Sequence, residues 1–474
     1  MTKPHWLESR EIVERIIIQG DLILETPAGF GSGDSGSLVD IPLLLDPLEN
    51  CALLTGASLA GALRSYLRER ECGYWGEGGK GSLYSTLFGI QEDDGGEQSL
   101  LIVCDSIGDK PSVELRDGVK IDPRTRTAQD KNKFDFELIA AGSVFRIRME
   151  LLIRENKRDD LIRGMAIALQ GLEQGEISLG VRKRRGFGRC RVRGWNVCRY
   201  DLTEPKGLIG WLKNDKKEER EPESDISKLL GATDTDTDNR NSFTVNATFS
   251  LDGSLLIRSD FDDVNAPDSV HLKSKRGERA VPVLSGTSLA GALRARALRI
   301  ANTVSKNGNG RDMVEELFGS DIKNVHSDDE LFASRFITAE TEIIKPLDIV
   351  QSRVKIDRFT GGSFPSALFS EQPVFGQEGT GIRVNIMIQQ PEDAEIGLTL
   401  LLLKDIWTGD LPLGGEIGVG RGRLRGRTAT LVLKKANSKS REWTINQAKG
   451  QLDIDGDPGS LEDFVQAFCK EMQR

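Results

Sequence analysis

Four kinds of segment in this chain bring together side chains that can do chemistry. The first is an acid. Asp40 stands in VDIPLLLDP, directly after the Gly/Ser-rich stretch GFGSGDSGS. A carboxylate just beyond a flexible loop can take a proton from a ribose hydroxyl or ligate a divalent cation. Asp268 is the acid to compare with it in the second half of the chain. The second kind is a glycine-basic loop, present twice. GVRKRRGFGR at 180–189 gathers Arg182, Lys183, Arg184, Arg185 and Gly186, and GRGRLRGR at 420–427 spaces Arg421, Arg423 and Arg425 at alternate positions. Glycine lets a backbone approach a phosphate closely, and arginine grips it through two parallel hydrogen bonds. RGFG at 185–188 lacks the following aromatic of an RNP1 element, so these loops are expected to bind an RNA backbone rather than stack bases.

The third kind is a helix start. Gly56, Ser58 and Arg64 fall in TGASLAGALR, and Gly286, Ser288 and Arg294 in SGTSLAGALR. A helix N-terminus presents free N–H groups and the positive end of its dipole to an anion. The fourth kind is a long arm with cations near its tip. VKIDPRTRTA at 119–128 carries Lys120, Arg124 and Arg126, and VKIDRFTGG at 354–362 carries Lys355 and Arg358.

The elements that position these groups come as a duplication. SLAGALR recurs at an offset of 230 residues, LFG at 230, VKID at 235 and the Gly-Glu-Ile block (GEISLG, GEIGVG) at 240. Four blocks in one order with slowly growing offsets mean two copies of one domain. Each copy opens with an apolar strand, at 11–25 and 243–258. A helix follows whose apolar residues recur at helical spacing, as in Leu59, Ala62, Leu63, Tyr66 and Leu67. After a long insertion come a strand (144–153; 382–389), a helix (157–172; 393–408) and the basic loop. The expected fold is α+β, two RRM-like or ferredoxin-like split βαβ domains. The first spans about 10–202 and the second about 241–435. Residues 203–240 read as a charged, loosely packed linker, and 436–474 as a tail with one short packing helix.

Composition narrows the partners. The chain has 474 residues, 38% of them hydrophobic and 29% charged, which suits a soluble protein of two or three domains. The net charge is −9, but segments 92–97, 203–240 and 451–474 together hold −11, which leaves +2 on the remainder, where the basic loops lie. A basic stripe on an acidic body is a phosphate-binding footprint. No apolar run reaches membrane-spanning length, and residues 1–8 lack the core of a secretory signal. The six cysteines form no CxxC pair, which argues against zinc and disulfides and fits a reducing cytoplasm. The three histidines (His5, His271, His326) are too scattered for a histidine metal centre.

Taken together, the D-x-P…T-G-A-S-L-A-G-A-L-R segment, the ID-x-x-T hairpin and the Gly-Glu-Ile block with its glycine-rich loop resemble the RAMP superfamily. The resemblance is closest to the guide-RNA-binding backbone subunits of type III CRISPR effector complexes, here as a tandem fusion of two. It implies an RRM-like palm with a projecting thumb hairpin in each half, stacked along a guide RNA beside other effector subunits. The glycine-rich loop and helix start would line the guide backbone. Each thumb would displace one base pair of the guide–target duplex. In such subunits an aspartate in the loop before the first helix is needed to cut target RNA. Asp40, sixteen residues before Gly56, matches that position. In the second half the same spacing points at Val270, and Asp268 stands two residues upstream without the following proline.

The reaction implied is in-line attack of the target's own 2′-hydroxyl, with Asp40, and Asp268 in the second half, assisted by Mg²⁺ or Mn²⁺. A non-catalytic guide-binding scaffold is the alternative. A guide-processing nuclease would need a placed histidine, for which His271 is the candidate, and an unrelated tandem RRM protein would need base-stacking aromatics.

Overall fold

The computed structural model describes residues 12–33, 39–90, 96–122, 125, 127–213, 223–259, 266–277, 279–306, 308, 310–320, 331–448 and 450–473. The chain divides into two compact units. The first runs to Glu114, resumes over Glu137–Lys183 and continues through Phe187–Arg240; the second holds Leu115–Phe136, Arg184–Gly186 and everything from Asn241 on.

In the first unit β1 (Glu14–Leu24) buries Ile16, Ile18, Leu22 and Leu24 on one face. Helix α1 (Gly56–Cys72) covers that face with Leu59, Leu63, Tyr66 and Leu67, spaced three or four apart. Removing a side chain such as Leu63, 0% exposed, would cost about 2–5 kcal/mol. Next come β2 (Leu101–Val103), a hairpin of β3 (Val113–Ile121) and β4 (Ala128–Ile139), β5 (Val144–Ile153), α2 (Arg158–Glu173) and β6 (Cys190–Asp201). The sheet order is β2-β5-β1-β6, antiparallel throughout. Each helix thus links two strands with a third between them, the split βαβ arrangement.

The second unit repeats the plan. Its elements are β7 (Ser242–Asp252), α3 (Gly286–Val304), β8 (Phe336–Thr338), a hairpin of β9 (Gln351–Ile356) and β10 (Ser363–Gln372), β11 (Gly381–Gln389), α4 (Asp393–Trp407) and β12 (Arg423–Lys434). The order β8-β11-β7-β12 matches the first unit position for position, again antiparallel. In both repeats a hairpin is inserted between the same two strands, at the place of the long basic arms read from the VKID segments.

Three boundaries differ from the sequence reading. The described residues of 203–240 are not a loose linker, because specific partners hold them on the first unit. Helix Pro205–Leu212 sets the Trp211 ring 4.2 Å below the Arg15 guanidinium. Helix Ile226–Leu230 buries both its terminal residues. Arg70 donates to the carbonyls of Thr235 and Thr237. Beyond 435, β13 (Arg441–Ala448) and β14 (Gln451–Asp455) extend the second sheet past β12, and α5 (Pro458–Gln473) packs Leu461, Phe464, Phe468 and Met472 inward, so this is a structural layer rather than a tail. The first hairpin falls in the second unit, where Arg116 ion-pairs with the buried Glu340 at 3.3 Å.

His271 is a core residue, not a nuclease group. It is 1% exposed, accepts at Nδ1 from the Ile257 N–H (3.2 Å) and donates from Nε2 to the Val283 carbonyl (3.1 Å). Burial pushes its pKa down to about 4. Between about pH 6.5 and 4 the unfolded chain binds a proton there that the folded chain refuses, so stability falls as pH falls. The loss is expected to reach about 3 kcal/mol by pH 4. Chemical denaturation at pH 7 and 4.5 checks it: His271→Gln should show a smaller drop than the parent, and equal drops would refute the assignment.

Candidate nucleic-acid interface

Thr55 starts α1, its side chain accepting from the Ser58 N–H at 3.2 Å, and Ser285 caps α3 by the same bond to Ser288. The α1 start opens onto a groove of about 430 Å³ within the first unit. One wall is the helix surface: Thr55, Ser58, Gly61 and Ser65. The other is the glycine-basic loop, from Ser178 through Gly180 to Lys183. Gly29, Phe30 and Gly31 lie between them. Gly180 has φ +84, and a Cβ there would sit 2.4 Å from the Gly29 carbonyl oxygen, so only glycine lets the loop lie this close. The Val181 N–H then donates to that same carbonyl (2.9 Å). Hydroxyls, backbone amides and the exposed Lys183 ammonium share the lining with the apolar side chains of Phe30, Leu44, Leu53, Leu179 and Val181, and no carboxylate is among the described lining residues.

Two expected ligand glycines serve packing instead. A Cβ on Gly56 would fall 2.2 Å from the Val103 carbonyl oxygen, and the Gly56 N–H is already donated to Asp105 at 2.7 Å. A Cβ on Gly286 would meet the Arg185 carbonyl oxygen at 2.1 Å. Both glycines are buried because another backbone crosses them. Ser58 and Arg64 are exposed, while Ser288 and Arg294 are half-buried.

The basic residues divide between surface and structure. Lys183 is exposed; Arg182 and Arg184 are half-buried. Arg185 directs its guanidinium at the carbonyls of Phe318 and Phe336 (both 3.4 Å) and Gly186 is buried, so both brace the fold. Arg421, 2% exposed, is likewise internal, paired with Glu371 at 2.8 Å. Arg423 and Arg425 do face outward along β12, and Arg425 also reaches Asp252 (3.1 Å) and the Thr408 carbonyl. On the hairpins Lys120 is half-buried, Lys355 and Arg358 are exposed, and Arg124 and Arg126 lie outside the described residues.

Asp40 is exposed. The segment after it runs against the groove: a Cβ on Gly31 would meet Ile41 at 3.6 Å, and Leu44 donates to the Phe30 carbonyl. Asp268 has a different environment. Its carboxylate accepts from the Ser370 N–H (2.7 Å) and hydroxyl (3.2 Å), and the Ser370 N–H above all holds it below the usual carboxylate range. A carboxylate so engaged is a weaker proton acceptor, and it ties β10 in place. No group of three or more His, Cys, Asp or Glu side chains gathers as a cation cage among the described residues.

Sequence reasoning missed two features. The hairpins carry exposed apolar side chains, with Phe359 fully exposed at the second tip and Leu115, Ile121 and Ile356 more than half exposed. The glutamate of each Gly-Glu-Ile block is an ion-pair hub. Glu176 accepts from Tyr66 (2.9 Å) and Arg240 (2.7 Å), and Glu416 pairs with Arg258, Arg353 and Arg421. The repetition of that glutamate was the available signal.

The architecture is two ferredoxin-like folds in tandem, each with a glycine-rich loop before its last strand and a hairpin between its second and third. The RAMP superfamily description matches residues 21–191 and 248–425, one match per repeat and well over half of the chain. The chain belongs to the RAMP superfamily. Membership implies an RNA-binding protein associated with CRISPR. No curated protein matches the chain. Among the described residues, no helix is long and apolar enough to cross a membrane.

Proposed function

We propose that the chain is a backbone subunit of a type III CRISPR effector that holds guide RNA along both repeats and cuts complementary target RNA through Asp40. The observation that carries this reading is the groove, in which the helix start and the glycine-basic loop meet with a lysine at the mouth and no described acid in the lining. The substrate brings its own nucleophile. With the scissile phosphate held in line, Asp40 takes the proton of the target 2′-hydroxyl. The 2′-oxygen bonds to phosphorus, the P–O5′ bond breaks, and the leaving 5′-oxygen takes a proton from water. The products are a 2′,3′-cyclic phosphate and a 5′-hydroxyl. A divalent ion, Mg²⁺ or Mn²⁺, would supply charge stabilisation to the reacting phosphate, and Asp40 is the residue that would help hold it. The scaffold reading is favoured for the second repeat alone, because Asp268 is engaged by Ser370.

Guide binding is tested by titrating single-stranded RNA into the full chain at several salt concentrations. Lys183→Glu is expected to weaken binding of every sequence alike and to lower the salt slope by about one or two charges. An unchanged slope would remove the groove from the interface.

A further inference from the structure

A knot of charge joins the second hairpin to the second glycine-basic loop. Arg421 donates from Nη2 to Glu371 Oε2 on β10 (2.8 Å) and to Gln351 Oε1 at the start of β9 (3.1 Å). Arg353 of β9 reaches both Glu371 and Glu416 at 3.3 Å, and Arg258 reaches Glu416 at 3.1 Å. Glu371 is 1% exposed and Arg421 2%, so neither has water to replace a lost partner. Glu416 adopts φ +56, a left-handed conformation that a glutamate keeps only when its surroundings enforce it. Burial first, then a hydrogen bond with Glu416, raises the Glu371 carboxyl; against its own burial, that bond and the Arg421 charge hold Glu416 low. The two carboxyl groups are thus pushed in opposite directions beside three guanidinium groups.

Nothing in an ordinary surface turn calls for such a cluster. It links the two elements of this repeat that carry outward cations: the hairpin with Lys355 and Arg358, and the loop that leads into Arg423 and Arg425. We propose that Glu371 and Glu416 are positioning residues that lock the hairpin β9–β10 to the loop 415–422, so that both engage one RNA strand at a set nucleotide spacing. The inference rests on the RNA-binding reading above. In the first repeat the equivalent glutamate, Glu176, accepts from Tyr66 of α1 and pairs with Arg240, and the proposal concerns the second repeat.

The test uses the full chain bound to single-stranded RNA with a photoreactive uridine placed at successive positions. The parent is expected to crosslink through the β9–β10 tip and through β12 at one fixed separation. Glu371→Ala should blur that separation and weaken affinity about tenfold, as loss of one charge-assisted contact does. Glu371→Gln, which keeps a hydrogen-bonding amide of the same shape, should restore both. Arg353→Ala, at a half-exposed position, gives the same reading if Glu371→Ala does not fold. Parent spacing and affinity in the folded Ala variants would overturn the lock. Failure of the parent chain to bind or crosslink RNA would overturn the RNA-binding reading instead.

Discussion

Asp40→Ala in the assembled effector is expected to slow target RNA cleavage by about 10²–10⁴-fold, the range for loss of a positioned proton acceptor. Guide binding should stay at the parent level, because Asp40 is exposed and the groove lining does not include it. Asp268→Ala should remove no cut, because its carboxylate is spent on Ser370. Counting 5′-hydroxyl fragments from a labelled target separates the readings. If Asp40→Ala leaves every fragment at the parent rate, the chain is a scaffold and the cut is made elsewhere. If Asp268→Ala abolishes one fragment, the second repeat has its own centre and the Ser370 contact must open during turnover.

The second large effect has opposite signs on stability and binding. Gly61 sits mid-helix in α1, exposed, on the groove wall, and a Cβ there would meet nothing within 4 Å. Gly291 occupies the same place in α3, with the same open surroundings. Glycine inside a helix costs about 0.5–1 kcal/mol relative to alanine, and neither position has a packing reason for it. Gly61→Leu should therefore stabilise the fold by some tenths of a kcal/mol, about the helix-propensity gain. It should also weaken RNA binding about ten- to a hundredfold by filling the groove. A thermal melt and an RNA titration on one preparation check both signs. A variant that melts higher and still binds RNA as the parent does would show that no backbone lies against α1.

How far the residues themselves announced this can be judged element by element. The repeated SLAGALR block and its hydroxyl-bearing lead residues marked both helices, and Thr55 and Ser285 prove to be their caps. Strands β2 and β8 have three residues each, too few to show any period, so the second strand of each fold was hidden inside an insertion. The alternation in RGRLRGR does put Arg423 and Arg425 on the outer face. It fails at Arg421 because Gly422, with φ +80, turns the backbone before β12 begins at Arg423. Charge runs misled twice, at 203–240, read as a loose linker, and at Arg421, read as a phosphate ligand. In each case the partner lies far away in sequence: Arg70 to Thr237, and Arg421 to Glu371. No local pattern encodes such a pair.

The docked stretch that ends at Arg240 has a practical corollary for anyone dividing the gene. A fragment stopped at Leu202 would bare the surface that Ile226 and Leu230 cover and would leave Glu176 without its guanidinium. The boundary between the two units therefore falls after Arg240, and what looked like spacer packs as part of the upstream unit's wall.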